Sequence, residues 1–421
     1  MRNRRNTGWL IGLGALGVLV VLILLTYGNY RYTRQNPGGN DFLVHWEGTR
    51  SFIINGDSPY SDATAIRIQT LAYGRPAQPG EHELRVAYPL YSIILFFPFA
   101  LFGDFSFARA LWMTALEISI FLTAFISIRV TQWKPNIVLL VVYMLFAFFW
   151  YNAVRPLING NAVIIVAFLL AGAFWAIKEH ADEMAGVLLA FSTIKPQVVV
   201  LLLAFVVFYA AVNGRWRLIL WLVGTVVILS GATMLLLPDW ILQNIREVLR
   251  YPGYNPPGTP GAALAVWMPA IGQKIGYVFT AGLALTLLVE WIAARKADFK
   301  GFLWAASLTL VLSPWSGIQN DPGNFIIMFP ALTMILALLD DRWRRSGWLV
   351  SLGLIVIILV GLWWIFLNTL QTVNGQPQQS PVMFFPLPAL LVVLLFWVRW
   401  WAFHPPNMWF DMLYERENPK L

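Results

Sequence analysis

Asp41 opens the most chemically loaded stretch of the chain. In GGNDFLVHWEGTRSFIINGDSPY, residues 38–60, it follows two glycines and comes after an apolar run of membrane length. A carboxylate at such a place does one of two things. It accepts hydrogen bonds from the free N–H groups of a starting helix, or it takes a proton from an incoming hydroxyl as a general base. Lys195 is the second such residue. In AGVLLAFSTIKPQVVVLLLAF, residues 185–205, it is bracketed by apolar side chains and followed by Pro196. An ionisable group within a membrane segment is costly. At a proline break a lysine suits a phosphate group, as a point charge; the alternative is snorkelling to the nearer interface.

Other polar residues stand at positions with weaker demands. Asp57 lies in NGDSPY, residues 55–60, and is read as a turn residue that bonds its own backbone. Glu47 is read as solvated. Glu117 and Glu290 lie within or near the ends of apolar runs, where pairing with an arginine such as Arg109 is expected. RPLINGN puts Arg155, Asn159 and Asn161 at one membrane boundary, as a turn or as substrate contacts. LSPWSGIQNDPGNFIIMFP, residues 312–330, holds Gln319, Asn320 and Asp321, which form either a plain turn or hydrogen bonds to a polyol.

The elements that must hold these residues are membrane helices. The chain has 421 residues, 58% of them hydrophobic and only 12% charged, with mean hydropathy +0.65. Soluble domains carry about 25% charged residues, so the expected fold is an all-α polytopic membrane protein. Apolar runs recur near 9–27, 89–102, 107–130, 138–153, 160–178, 185–212, 216–238, 275–294, 301–313, 324–339, 346–369 and 383–403. At about 20 residues per span they predict roughly 11–12 helices in one integral-membrane domain over 1–421, with 89–102 short enough to be re-entrant.

Basic clusters orient the spans. RNRR, NGRWR, ARKADFK and DDRWRR are expected on the cytoplasmic side. The loops 28–88, 239–274, 313–324 and 368–381 are then extracytoplasmic. The first run has a basic head and ends in Tyr27, Tyr30 and Tyr32, which reads as an uncleaved span. Within loop 28–88 the spacing predicts two short helices in the interface plane. In the first, Phe42, His45, Trp46, Thr49, Phe52 and Ile53 share a stripe, Asn40 or Asp41 caps the start and Gly56 ends it. The second runs from Ser61 to Tyr73 and carries Ile66 and Leu71.

Composition narrows the function classes further. Cysteine is absent, so thiolate chemistry and disulfides are excluded. The histidines, His45, His82, His180 and His404, are scattered, so no metal cage and no cofactor is predicted. The net charge of +8 fits anionic lipid and cytoplasmic loops rather than nucleic acid. G-x-x-x-x-G-K-[ST] does not occur, and G-x-G-x-x-G occurs only as Gly12–Gly17 inside the first apolar run rather than after a strand, which argues against an ATP- or dinucleotide-driven machine. A transporter or lipid flippase predicts paired intramembrane charges and an inverted repeat; the charges here gather in one large loop, and no repeat is seen. A non-catalytic scaffold would leave both Asp41 and Lys195 dispensable.

Five segments, in order, resemble glycosyltransferase family 87. NDFLVHWEGTRSFIINGDSPY resembles its first-loop pattern of an Asp-aromatic start followed by Gly-Asp-Pro-Tyr. AYPLYSIILFFPF resembles its Tyr-Pro-Pro segment, with Leu90 in place of the second proline. NGN, AGVLLAFSTIKPQ and LSPWSGIQNDPGNFIIMFP resemble its Gly-Gln-x-Asn, Ala-Gly…Lys-Pro and late Ser-Pro segments. The resemblance implies a GT-C membrane glycosyltransferase that uses a polyprenyl-phosphate sugar, mannose foremost, and a glycolipid or glycan acceptor. It implies Asp41 as the catalytic base and Lys195 near the lipid phosphate. A leaving phosphate is already an anion, so Lys195 or an arginine such as Arg85 is expected to meet its charge. His45, Tyr88, Asn159, Asn161, Gln319, Asn320 and Asp321 are the expected substrate contacts. Some relatives carry Trp-x-His where Gln319, Asn320 and Asp321 stand here.

Overall fold

Long runs of Leu, Ile, Val, Phe and Ala must bond their own backbone where water is absent, and the helix does this within one segment. The computed structural model describes residues 2–255, 258–373 and 376–403, so His404 lies outside the description. In chain order the helices are α1 (Arg2–Gln35), α2 (Asn40–Asn55), α3 (Asp62–Tyr73), α4 (Ile93–Ala100), α5 (Phe105–Thr131) and α6 (Ile137–Phe149). There follow α7 (Tyr151–Asn159), α8 (Val163–Lys178), α9 (Asp182–Ser192), α10 (Pro196–Val212), α11 (Trp216–Leu236) and α12 (Trp240–Arg250). The last six are α13 (Pro260–Trp267), α14 (Gly272–Ala294), α15 (Phe299–Leu312), α16 (Phe329–Arg342), α17 (Gly347–Thr369) and α18 (Pro386–Ala402). One small antiparallel hairpin, β1 (Gln371–Val373) and β2 (Gln376–Gln378), occupies the expected loop before α18.

Among the described residues, seven helices are long and apolar enough to cross a membrane, or eight if the bent pair α6–α7 is one span. Leu90–Ala100, α8 and α10 are apolar but shorter. The 11–12 spans read from hydropathy are reached only at their lower edge, and only if these short helices cross as well. The run 185–212 shows why. It is cut at Lys195–Pro196, because proline bars the residue before it from helical backbone. Lys195 accordingly has φ −128° and ψ 72°, and Pro196 starts α10.

The described residues divide into two compact units. The first comprises Met1–Ser119, Arg155–Ala162 and Thr233–Tyr254. Here α2 is not the half-exposed interfacial helix expected from its stripe. Phe42, Leu43, Val44, His45, Trp46, Gly48, Thr49 and Ser51 are all buried. The aromatic side chains Phe96, Phe99, Phe105 and Trp112 close around Phe42. In α3 the buried apolar residues are Ala65 and Ile68, while Ile66 and Leu71 face outward. The start and stop of α3 follow the sequence: Ser61 accepts from the Thr64 N–H, and Gly74 closes the helix with φ 73°. Asp57 stands just before the Ser58–Ser61 turn, and its carboxylate pairs with Arg67 rather than with its own backbone. Glu117 does not pair with Arg109; it accepts from Asn29 of α1 at 2.8 Å.

The second unit comprises Ile120–Val154, Val163–Ala232 and Asn255–Leu421. Helices α15 and α16 are buried almost throughout. Polar side chains tie other helices to them: Tyr143 Oη lies 2.8 Å from Thr333 Oγ1, and Trp304 Nε1 donates to the Leu395 carbonyl at 2.8 Å. Glu290 does find an arginine, Arg399 of α18, at 2.5 Å, with the guanidinium 4.4 Å from the Trp304 ring centre. Both partners are largely buried. Removing one member of such a pair strands the other charge, whereas an apolar pair of similar volume is close to neutral. Glu290→Gln is therefore expected to destabilise the protein by about 3 kcal/mol, while the double variant Glu290→Leu, Arg399→Met recovers most of that loss. Thermal unfolding in lipid nanodiscs reads both.

Candidate active site

Two left-handed glycines deliver the first cluster. Gly39, at φ 79°, turns the chain into α2, which begins at Asn40. Asp41 thus lies inside the first turn, and the N-cap is Gly39 with no side-chain cap bond. The expected cap at Asn40 or Asp41 is corrected by this geometry: the turn is made by glycine backbone. After α7, Gly160 at φ 73° turns the chain so that Asn161 comes back to α2. Asn161 Nδ2 donates to Asp41 Oδ2 at 2.8 Å.

Both turns are fastened to α5. Arg109, fully buried, donates to the Asn36 carbonyl at 2.8 Å and to the Ile158 carbonyl at 2.9 Å. Its side chain fills the space beside Gly39, where an added Cβ would stand 2.4 Å from Nε. One turn further along, Trp112 Nε1 donates to the Gly160 carbonyl at 2.8 Å, and its ring stacks on Phe42 at 5.4 Å. A Cβ on Gly160 would meet Phe42 Cβ at 2.5 Å. So α5 holds the chain ends on either side of the Asp41–Asn161 contact.

His45, one turn after Asp41, joins the same cluster. Its ring lies 3.9 Å from Tyr88 and 4.7 Å from Phe96, centre to centre. Burial drives the Tyr88 phenol well above its ordinary range, and the Asp41 charge adds to this. Tyr88 therefore keeps its hydroxyl proton within reach of the Asp41 carboxylate field. The Tyr88 carbonyl accepts from Tyr60 Oη at 2.7 Å and from Asn244 Nδ2 at 3.1 Å. Arg85, expected from the leaving-group charge to be a donor-phosphate contact, is engaged by carboxylates of its own unit. It is buried, with Nε 2.8 Å from Glu247 Oε2 and its other nitrogen on Asp62. Two carboxylates already balance its charge, so it acts as a tie between the first loop and α12.

In the second unit, Lys195 sits at the α9–α10 break with its ammonium buried. Nζ donates to Asn324 Oδ1 at 2.7 Å, and Asn324 Nδ2 donates to Asn320 Oδ1 at 2.6 Å. The Asp321 N–H also donates to Asn320 Oδ1, at 2.9 Å. The direction of this relay is fixed, because lysine has only donors and Asn320 Oδ1 receives two. Asn320 Nδ2 is buried at the far end without a hydrogen-bond partner. Asp321 caps the short helix that follows by accepting from the Gly323 N–H, and Gln319 is half-buried beside Gly258.

A sequence model described as Glycosyltransferase family 87 matches residues 87–314, just over half of the chain. The chain belongs to glycosyltransferase family 87. It is therefore a membrane glycosyltransferase. Among curated proteins and among solved structures, none matches it. The family 87 match takes in Tyr88, Arg109, Asn161 and Lys195, while Asp41, His45, Asn320 and Asn324 lie outside it.

Of the residues singled out from sequence, the family 87 fold brings Asp41, His45, Tyr88 and Asn161 together, and Lys195 with Asn320. Asn159 ends α7, half-buried, two residues before Asn161. Three contributors were missed. Arg109 was read only as an ion partner for Glu117. Trp112 carried no signal beyond its place in an apolar run, and Asn324, at the end of the 313–324 loop, was not singled out. The stripe in α12 was legible, since Ile241, Leu242, Ile245, Val248 and Leu249 recur at helical spacing.

Proposed function

We propose that this family 87 enzyme transfers a sugar, mannose foremost, from a polyprenyl-phosphate donor to a hydroxyl of a lipid-linked or envelope glycan, on the extracytoplasmic face. Asp41 takes the proton of the acceptor hydroxyl. The oxygen forms a bond to the anomeric carbon, the bond from that carbon to the phosphate oxygen breaks, and polyprenyl phosphate leaves with inversion. The leaving group is already an anion, so it needs positive charge more than an acid; Lys195 is the cation proposed to meet a lipid-borne phosphate. The observation that carries the reading is the Asn161–Asp41 hydrogen bond. A carboxylate that accepts from a side-chain amide is held in one orientation, and the protonated Tyr88 beside it marks a partly desolvated place for a base.

The test is incubation of membranes containing the protein with a labelled polyprenyl-phosphate mannose. A labelled glycosidic product is expected. Labelled donor that only changes leaflet, with no new bond, points to a flippase and overturns the reading. In the same assay Lys195→Met is expected to raise the donor KM roughly 10- to 100-fold, the worth of a hydrogen bond to a charged group, with a smaller fall in kcat.

A further inference from the structure

Helix α12 has two faces with different destinations. On one, Ile241, Leu242, Ile245, Val248 and Leu249 form a stripe about 120° wide, all exposed, Leu249 at 77%. The other face is bound within its own unit. Gln243 accepts from Ser58, Asn244 donates to the carbonyls of Ala87 and Tyr88, and Glu247 accepts from Arg85. Arg246 is exposed and falls at the border between the two faces.

What covers the stripe follows from the preceding residues. Helix α11, a candidate span with mean hydropathy 2.2, ends at Leu236, three residues before α12 begins. Its last two residues, Leu235 and Leu236, are 87% and 67% exposed. Exposed apolar surface therefore runs from the end of a span directly onto α12. A short helix with one apolar face, leaving a span with an arginine at its rim, has the form of an interfacial helix. Arginine there keeps its stem in the apolar layer and its head among phosphates.

We infer that α12 lies in the headgroup layer of the bilayer, with its apolar stripe among acyl chains and its polar face gripping the first loop. Through Asn244 and Glu247 the bilayer then sets the height of Tyr88 and Arg85. The occupant of the stripe is lipid rather than a protein, because the same apolar surface continues onto a span.

The chain has no cysteine, so a single introduced one is labelled uniquely. Full-length protein carrying Leu249→Cys with a fluorescent label is placed in vesicles of phosphatidylcholine and phosphatidylglycerol. Acyl-brominated lipid is expected to quench this label at least about threefold more than one at Gln78→Cys, an exposed loop position, while aqueous iodide quenches it less. Iodide quenching equal to that at Gln78 would put the stripe in water and overturn the inference. Protection from both quenchers would mean a protein partner and would overturn it equally. The readout involves no sugar transfer, so it stands or falls apart from the proposed reaction.

Discussion

Asp41→Asn is expected to lower sugar transfer by about 10²- to 10⁴-fold, the usual worth of a positioned base. That equals about 3–5 kcal/mol of barrier. The change is close to isosteric. Asn161 can still donate to the new amide oxygen, so the Asp41 side of the contact persists and insertion is unaffected. Donor KM should hold, because what is lost is proton acceptance from the acceptor rather than a bond to the donor. Single-turnover transfer in nanodiscs, with unfolding followed in parallel, separates chemistry from folding. Near wild-type turnover in well-folded protein would sink Asp41 as the base and return it to a first-turn helix residue.

Arg109→Ala should give the second large effect through a residue that is only a positioning group. Arg109 bridges the Asn36 and Ile158 carbonyls and packs on Gly39. Its loss frees both chain ends that bring Asp41 and Asn161 together. A misplacement near 1 Å can cost about 100-fold in rate, and the cavity and lost bonds should cost about 3 kcal/mol of stability. Arg109→Lys restores the charge but not the fork, since an ammonium is a point donor. It should recover stability more than rate. A merely structural role predicts equal recovery of both, so the kcat of the lysine variant, set beside its unfolding midpoint, decides between them.

These two residues also show where sequence was informative. Asp41 stood out because an acid after an apolar run is unusual, and Asn161 because NGN ends a membrane segment. Their contact was not legible, as they lie 120 positions apart and nothing local encodes the pairing. Arg109 was misread for a related reason. Its acceptors are backbone carbonyls, which every residue carries, so no residue type at Asn36 or Ile158 could announce them. The all-α membrane fold, the Ser61–Tyr73 bounds of the second loop helix and the Lys195–Pro196 break followed from period and proline chemistry. The depth of burial of α2 did not, because it depends on aromatics contributed by α4 and α5. Helix α12 was readable by its spacing, but the segment 239–274 was considered only for its charge.

Gly39 and Gly160 carry one more implication. Each has positive φ, and in each the space for a side chain is already filled, by Arg109 in one case and Phe42 in the other. Any side chain introduced at either glycine is therefore expected to strain a turn that flanks the Asp41–Asn161 contact, so the two glycines act as fixed backbone joints for the pair.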